Sequence, residues 1–440
     1  MIFKTALQHA MVNSDALSTE FCEILGLSKI FGSLVKCGGS IFPGNPAFVG
    51  NVPIDGVMTG VETGVGLLTE GRNTSIMVKD HLDIYREIDA SFPAWEGGRV
   101  VGNTVYAKDA AGDWISPLPR LMHAPEATNT FDDGRNLAGG GWTFQGLTPS
   151  LVEGIDGTTN AVLLDDNTTS FEYCYHTIGT PLGNTYSLIF YLNKNGTGIF
   201  AIQWATIAGV YQIDPNDGSI AVEVSGYFSQ GDIAVLDDSA DWWKVVVTFV
   251  NNVDASVNVY LHPARSVALG GGASGSAIGS NTVDALQLYR GMDHATALAM
   301  PPIFNLDGAS VTRTACDLSF DAANQDDAQG TWLIEAEATG VASILDGFLT
   351  HSGNSIILSD SVNSQSLSAD TTSHKIGVVY GAGTMKLNID GVWHAEGPYD
   401  GTLLQGALDL FRNSSVVGYC GEIARYSEKD ETIVDTWIAA

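Results

Sequence analysis

The chain has 440 residues, too many for one ordinary domain at roughly 100–200 residues each, so two to four domains are expected. Apolar residues make up 45%, charged residues only 16%, and 50 positions are glycine, which rules against a long coiled coil. The glycines show no three-residue period, so collagen is excluded as well. Twenty basic residues against fifty acidic ones leave a net charge of −30, which repels phosphate backbones and anionic lipid. Neither nucleic acid nor a membrane surface is therefore an expected partner.

Five cysteines (Cys22, Cys37, Cys174, Cys316 and Cys420) are widely spaced and form no C-x-x-C, so buried reduced thiols are expected rather than a disulfide framework or zinc site. The opening MIFKTALQHAMVNSD has no apolar core of the kind a signal peptide needs. No run approaches the ~20 apolar residues of a membrane helix. A product of a reducing cytoplasm, not exported by a signal of its own, is the expectation.

Along residues 2–24, Phe3, Leu7, Ala10 and Met11 define one helical face. Leu27, Ile30, Phe31 and Leu34 predict a second short helix over 24–36, interrupted by Gly26 and Gly32. SIFPGNPAFVGNVPIDGV then brings turn and edge-strand chemistry. Residues 76–90 fit a strand or a short helix equally, and 113–124, with two prolines, reads as an extended connector.

After about residue 136 the pattern is all-β. NTYSLIFYLNKNGTGIFAIQW holds two apolar runs split by Asn195-Gly196, a hairpin signal. WWKVVVTFVNNVDASVNVYLH predicts two more strands, with Val257, Val259 and Leu261 opposite Asn258, Tyr260 and His262. A Gly/Ser loop over 269–281 leads to a closing strand at VDALQLYRG. Pro301-Pro302 marks a boundary. Beyond it TWLIEAEATG alternates, with Trp332, Ile334 and Ala336 on one face. HKIGVVYGAGTMKLNIDGVWH holds three strands, the last two joined by a type I′ turn at Asp390-Gly391. The tail is a short amphipathic helix carrying the pairs Ile433/Trp437 and Val434/Ile438.

The predicted class is mainly β: two antiparallel β-sandwich (jelly-roll) domains after a small α+β N-terminal module. The expected divisions are a docking module over 1–75, a connector over 76–130, a jelly roll over 131–300 and a second sandwich over 301–440.

Several ordered segments resemble virion proteins of tailed bacteriophages that carry a jelly roll of the carbohydrate-binding-module type. They are Arg135-Asn136-Leu137, Gly141-Trp142-Thr143, Ile155-Asp156-Gly157-Thr158, Trp243 to Phe249, Ala285-Leu286-Gln287-Leu288, Ala295-Thr296 and Val311-Thr312-Arg313. The last block resembles laminin-G or concanavalin-like sandwiches, at Leu387-Asn388-Ile389-Asp390-Gly391 and Gly421-Glu422-Ile423-Ala424-Arg425-Tyr426. Thr5-Ala6-Leu7 and Ile41 to Ala47 resemble a small phage virion module. The resemblance implies a structural or adhesive virion component of tail, collar or head.

Candidate sites follow from these segments. Trp204, Tyr211, Trp242 and Tyr260 are candidates for stacking on sugar rings, with core packing as the plainer reading and Trp243 a core residue. Asp156, Asp165, Asp166 and Asp284 are candidate calcium ligands, Asp156 and Asp284 foremost; turn aspartates bonding their own backbone are the alternative. Glu335 and Glu337 share a strand face, as a glycosidase carboxylate pair would, although a solvated strand face explains them more simply. His176, His262 and His394 have no metal or triad spacing.

The expected function is thus a non-enzymatic virion structural protein, assembled in the host cytoplasm, that presents its sandwiches for adhesion to a host-surface glycan. A polysaccharide-degrading enzyme using Glu335 and Glu337, or a free lectin-like protein, is the alternative. Its expected partners are other virion proteins, through the N-terminal module, and further copies of itself as a trimer, which would cover sheet edges. The C-terminal block, residues 317–440, is expected to fold independently and to be dispensable for attachment.

Overall fold

The structure is a computed structural model. It describes residues 27–30, 34–37, 40–43, 48–54 and 56–61, side chains being included there only for 56–58. From 69 to 439 it describes all but 132–133, 136, 138–140, 169, 205–208, 226–232, 252–255, 306–309, 317, 321–327, 346–347, 361, 402–407 and 412–414. The helix expected over 2–24, with Thr5-Ala6-Leu7, lies outside these residues. The fold is mainly β, built from antiparallel sheets.

The chain forms two compact units. One comprises Asp83–Arg86 and Glu126–Arg313; the other takes the described residues of Met1–Leu82, Glu87–Pro125 and Thr314–Ala440. This differs from four consecutive segments. Residues 87–125 are no separate connector: Arg120–His123 is a strand that pairs with Gly418–Tyr426, Leu121 opposite Cys420.

The first unit is a jelly-roll sandwich of two six-stranded sheets. One sheet runs Thr143–Gln145, Tyr173–Gly179, Ser256–His262, Phe200–Trp204, Gly209–Ile213, Ile220–Ser225. The other runs Ser150–Val152, Ala161–Asp166, Gly279–Arg290, Asn184–Asn193, Trp242–Asn251, Ile233–Asp237. Between them lies an apolar core in which Leu188, Phe190 and Leu192 meet Phe200, Ile202, Val259 and Leu261. Burying such side chains contributes roughly 1.5–3 kcal/mol each.

The two sheets differ on their outer faces. In Asn184–Asn193 both parities are buried, which is why that strand reads as a continuous apolar run. Its second face is covered in part by the short helix His294–Ala299, capped by Asp293 and not foreseen in the sequence. Thr248 reaches Ser187 at 2.9 Å and His294 at 3.0 Å, and Lys244 Nζ donates to the carbonyls of Leu298 and Met300. The first sheet alternates buried and accessible residues along Tyr173–Gly179 and along 256–261, whereas Phe200–Trp204 and Gly209–Ile213 bury both parities except at Gln203.

Asn195-Gly196 does not close a hairpin. The strands on either side of it belong to opposite sheets, so the turn arches over the core edge. Neither residue takes the positive φ a type I′ turn needs. Asp390-Gly391 does take it, with φ of 50° and 89°, between strands Thr384–Ile389 and Val392–Trp393. Residues 76–90 resolve into two strands, Ile76–Lys79 and Tyr85–Ile88.

In the second unit a twelve-stranded sheet carries the path 99–101, 104–106, 57–61, 48–54, 418–426, 330–338, 374–381, 384–389, 392–393. A seven-stranded sheet accompanies it, and Trp332 reaches Phe348, beside strand Leu349–Ser352, at 6.1 Å. The terminal helix Glu431–Ala439 buries Val434 and Trp437 against Leu333, Val379, Ala424 and Tyr426. Because Gly50 pairs with Ile423 and Val49 with Ala424, the C-terminal block shares its sheet with residues 48–61 and is not independent of them. The helix expected over 24–36 is replaced by strands Leu27–Ile30 and Leu34–Cys37, in register Leu27 opposite Cys37. Gly32 between them has poor helix propensity, and the spacing that suggested one helical face also fits a short hairpin.

Candidate functional site

The accessible face of the first sheet of the jelly roll is set by strand parity. Cys174 and Ile178 point into the core, so Tyr173, Tyr175 and Thr177 point outward; Val257, Val259 and Leu261 likewise leave Asn258, Tyr260 and His262 outward. Register aligns these residues across the strands. Thr143 lies opposite Tyr175, Tyr175 opposite Tyr260, and Tyr260 opposite Gln203, a row crossing four strands; on the next strand Val210, opposite Gln203, is buried. At about 4.8 Å per strand that row is on the order of 14 Å long.

Aromatic rings fill its middle. Tyr175 stacks with Tyr260 at 5.2 Å, Tyr173 lies 5.4 Å from Tyr260, and Phe171 lies 4.8 Å from His262. Thr177 Oγ1 donates to Asn258 Oδ1 at 2.6 Å, fixing that amide beside the rings. Further along, Arg265 donates to both carboxylate oxygens of Glu223, at 2.9 and 3.1 Å, and to Gln203 Oε1 at 3.2 Å. Burial would raise the Glu223 carboxyl, but Arg265 and Gln212 more than offset it and hold it below the usual range. Burial, with the charge of Arg265 beside it, drops His262 to about 3, so this imidazole is neutral at physiological pH. Flat partly exposed rings beside amide and hydroxyl groups suit a ligand with apolar faces and hydroxyl edges.

Of the four aromatic candidates, Tyr260 lies on this face. Trp204 and Tyr211 are core residues, because each shares its strand parity with inward neighbours, Phe200 and Ile202 or Ile213. Trp242 is buried at 7% exposure, while Trp243 packs half-buried against the core and donates to the Pro215 carbonyl. Tyr173 and Tyr175 lie on this face too, and their alternation with Cys174 and Ile178 is the signal for it in the sequence.

Asp156 and Asp284 do come together, but around a guanidinium. Arg135 donates to Asp284 from Nε and Nη2 at 2.8 and 2.9 Å, and to Asp156 from Nη1 and Nη2 at 2.8 Å. Asp284 also accepts from the Ile155 and Ala285 backbone amides. Burial would raise Asp156, yet Arg135 and Thr158 pull it to about 2. The expected calcium ligands therefore hold an internal cation, and their oxygens are occupied by N–H donors and, at Asp156, by the Thr158 hydroxyl as well. Asp165 accepts from Asn167, whereas Asp166 is buried and, desolvated beside Glu172, is raised to about 6. Among the described residues no group of three or more His, Cys, Asp or Glu is arranged to hold a metal.

Glu335 and Glu337 share the outer face of strand Gly330–Ala338 with Leu333, while Trp332 and Ile334 take the opposite parity. Glu337 is held by Arg120 at 2.5 Å and Glu335 accepts from Ser373, so neither is the unpaired acid of a solvated face. Cys174, Cys316 and Cys420 are buried. No helix among the described residues is long and apolar enough to cross a membrane.

No protein family matches the sequence, and no curated protein matches it. Among solved structures the chain is similar to the N-terminal CBM22-1–CBM22-2 tandem domain of Paenibacillus barcinonensis Xyn10C. The identity there is 9%, over 69% of this chain and 98% of that one, with a TM-score of 0.24. It is also similar to Trypanosoma rangeli sialidase in complex with sialic acid, at 9% identity and a TM-score of 0.21 over 67% of this chain. The chain spans 62% of the sialidase's length. Both scores are too low to establish a shared fold.

Proposed function

We propose that this protein binds a glycan on the outer face of the jelly roll's first sheet and acts by binding rather than by catalysis. The observation that carries this reading is the row of Tyr175, Tyr260 and Gln203, flanked by Tyr173 and Asn258, on a sheet whose other face is core. Cross-strand aromatic pairs add roughly 0.2–1 kcal/mol each to a sheet, and rings left partly exposed keep apolar faces that a ligand can cover. A sugar ring offers them an apolar face to cover and hydroxyls for the neighbouring amides. A glycan array probed with the wild-type chain and with Tyr173→Ala/Tyr175→Ala tests it. Binding that survives the double substitution, or no binding at all, refutes it.

The ordered resemblance of residues 135–313 to phage virion segments supports a narrower reading, a particle component that displays this face toward a host surface. Mass spectrometry of purified particles tests that reading, and absence of the chain from them overturns it.

A further inference from the structure

The same face also limits the chemistry of what it can hold, an inference that rests on the glycan-binding reading. Its accessible outward residues on strands 173–179, 256–262 and 200–204 are hydroxyl, amide and phenol groups: Tyr173, Tyr175, Thr177, Asn258, Tyr260 and Gln203 among them. A glycan bearing carboxylates or sulfates needs a cation to meet them, since an anion stripped of water without a partner is costly. Among the described residues the cation–ring contact on this cluster is that of Arg265, stacked 5.1 Å over Phe171. Its fork is closed by the two oxygens of Glu223, and both side chains are mostly buried, at 9% and 15% exposure. His262 adds no charge at neutral pH. The net charge of −30 further repels polyanions at a distance.

We infer that this face takes an uncharged glycan laid across the strands, and that Glu223 sets this preference by keeping Arg265 occupied. Removing the Glu223 charge would leave a guanidinium at the end of the aromatic row with donors unspent, converting a neutral face into one that accepts anions.

Affinity electrophoresis in native gels tests the inference. The gels carry neutral polysaccharides (xylan, mixed-linkage glucan, mannan, dextran) or acidic ones (polygalacturonate, alginate, hyaluronate), each at low and moderate salt. The expected result is retardation of the wild-type chain by at least one neutral polymer, with little salt dependence, and by no acidic one. Tyr175→Ala should weaken that retardation about tenfold or more. Glu223→Gln should gain retardation by an acidic polymer at low salt and lose it as salt rises. Wild-type retardation by an acidic polymer that Tyr175→Ala removes would overturn the neutral class while leaving glycan binding intact. No retardation by any polymer would overturn both. A Glu223→Gln chain with a normal circular dichroism melt and no gain would overturn the part assigned to Glu223. Should that variant not fold, the wild-type panel with its salt series still decides the ligand class.

Discussion

Arg135 is the position where one substitution should cost most. Arg135→Met keeps much of the side-chain length and its packing over Phe304, 4.0 Å from the guanidinium carbon, but removes four N–H bonds to carboxylates. Two acids are left, Asp284 fully buried and Asp156 with its side chain 12% exposed, with no cation between them. Breaking a buried pair by deleting one partner costs roughly 3–5 kcal/mol, because the remaining charge is desolvated and uncompensated. Asp284 keeps two backbone donors, which puts the expectation toward the lower end. For a unit of this size that is a fall in melting temperature of roughly 6–20 °C. The pH dependence has a definite sign. Asp156 is depressed to about 2 in the folded protein, so its stabilisation is complete above the ordinary carboxylate range and lost as pH falls toward 2. The variant lacks that term, and its deficit should therefore shrink on acidification. Thermal unfolding followed by circular dichroism at pH 7 and pH 3 reads both effects. A loss below about 1 kcal/mol, or a deficit equal at the two pH values, refutes the reasoning. Because the guanidinium sits between the carboxylates, a chelator should leave the wild-type melt unchanged, whereas a calcium site there would show a drop.

Trp204→Ala should destabilise the jelly roll by about 3–5 kcal/mol, since it empties a fully buried site, whereas Tyr175→Ala should lower glycan retention while leaving the melt within about 1 kcal/mol. Comparing melts with binding for the pair separates core from surface. Asp166 is raised to about 6, so the folded state loses stability as pH climbs from the ordinary carboxylate value to 6; Asp166→Asn should gain up to about 3 kcal/mol at pH 7 and little at pH 3 in chemical denaturation. Gly377→Ala would put a methyl 2.2 Å from Val434 Cγ1, so the terminal helix should lift, seen as faster amide exchange over 431–439 with the jelly roll unchanged. Cys316 N donates to the Ala124 carbonyl at 3.0 Å, which brings the ends of the 126–313 segment together. Replacing 126–313 by a short linker should leave a chain that still melts cooperatively, whereas deleting 317–440 should not, because strands 48–54 and 120–123 lose their partner strand 418–426.

What could be read along the chain was parity. Val257, Val259 and Leu261 announce an inward set by alternation alone, and Asp390-Gly391 announces its turn because only a few residue types tolerate positive φ. The same rule, applied to FAIQW and YCYHTI, assigns Trp204 inward with Ile202, and Tyr173 and Tyr175 outward from Cys174. Residue type is the weaker guide there: a tryptophan suggests sugar stacking, yet its parity decides whether it can reach one. Partnership was a different matter. Arg135 and Asp284 lie 149 positions apart, and Gly50 pairs with Ile423 across most of the chain. Nothing local in either segment specifies the other, since a carboxylate in a turn looks the same whether it will meet calcium or a guanidinium. The open face has the same origin. Strand pattern shows that both jelly-roll sheets have an inner side, but which outer side is accessible depends on the short helix at 294–299 and on Lys244 beneath it. That cover falls on the second sheet, so the tyrosines of the first remain where a ligand can meet them.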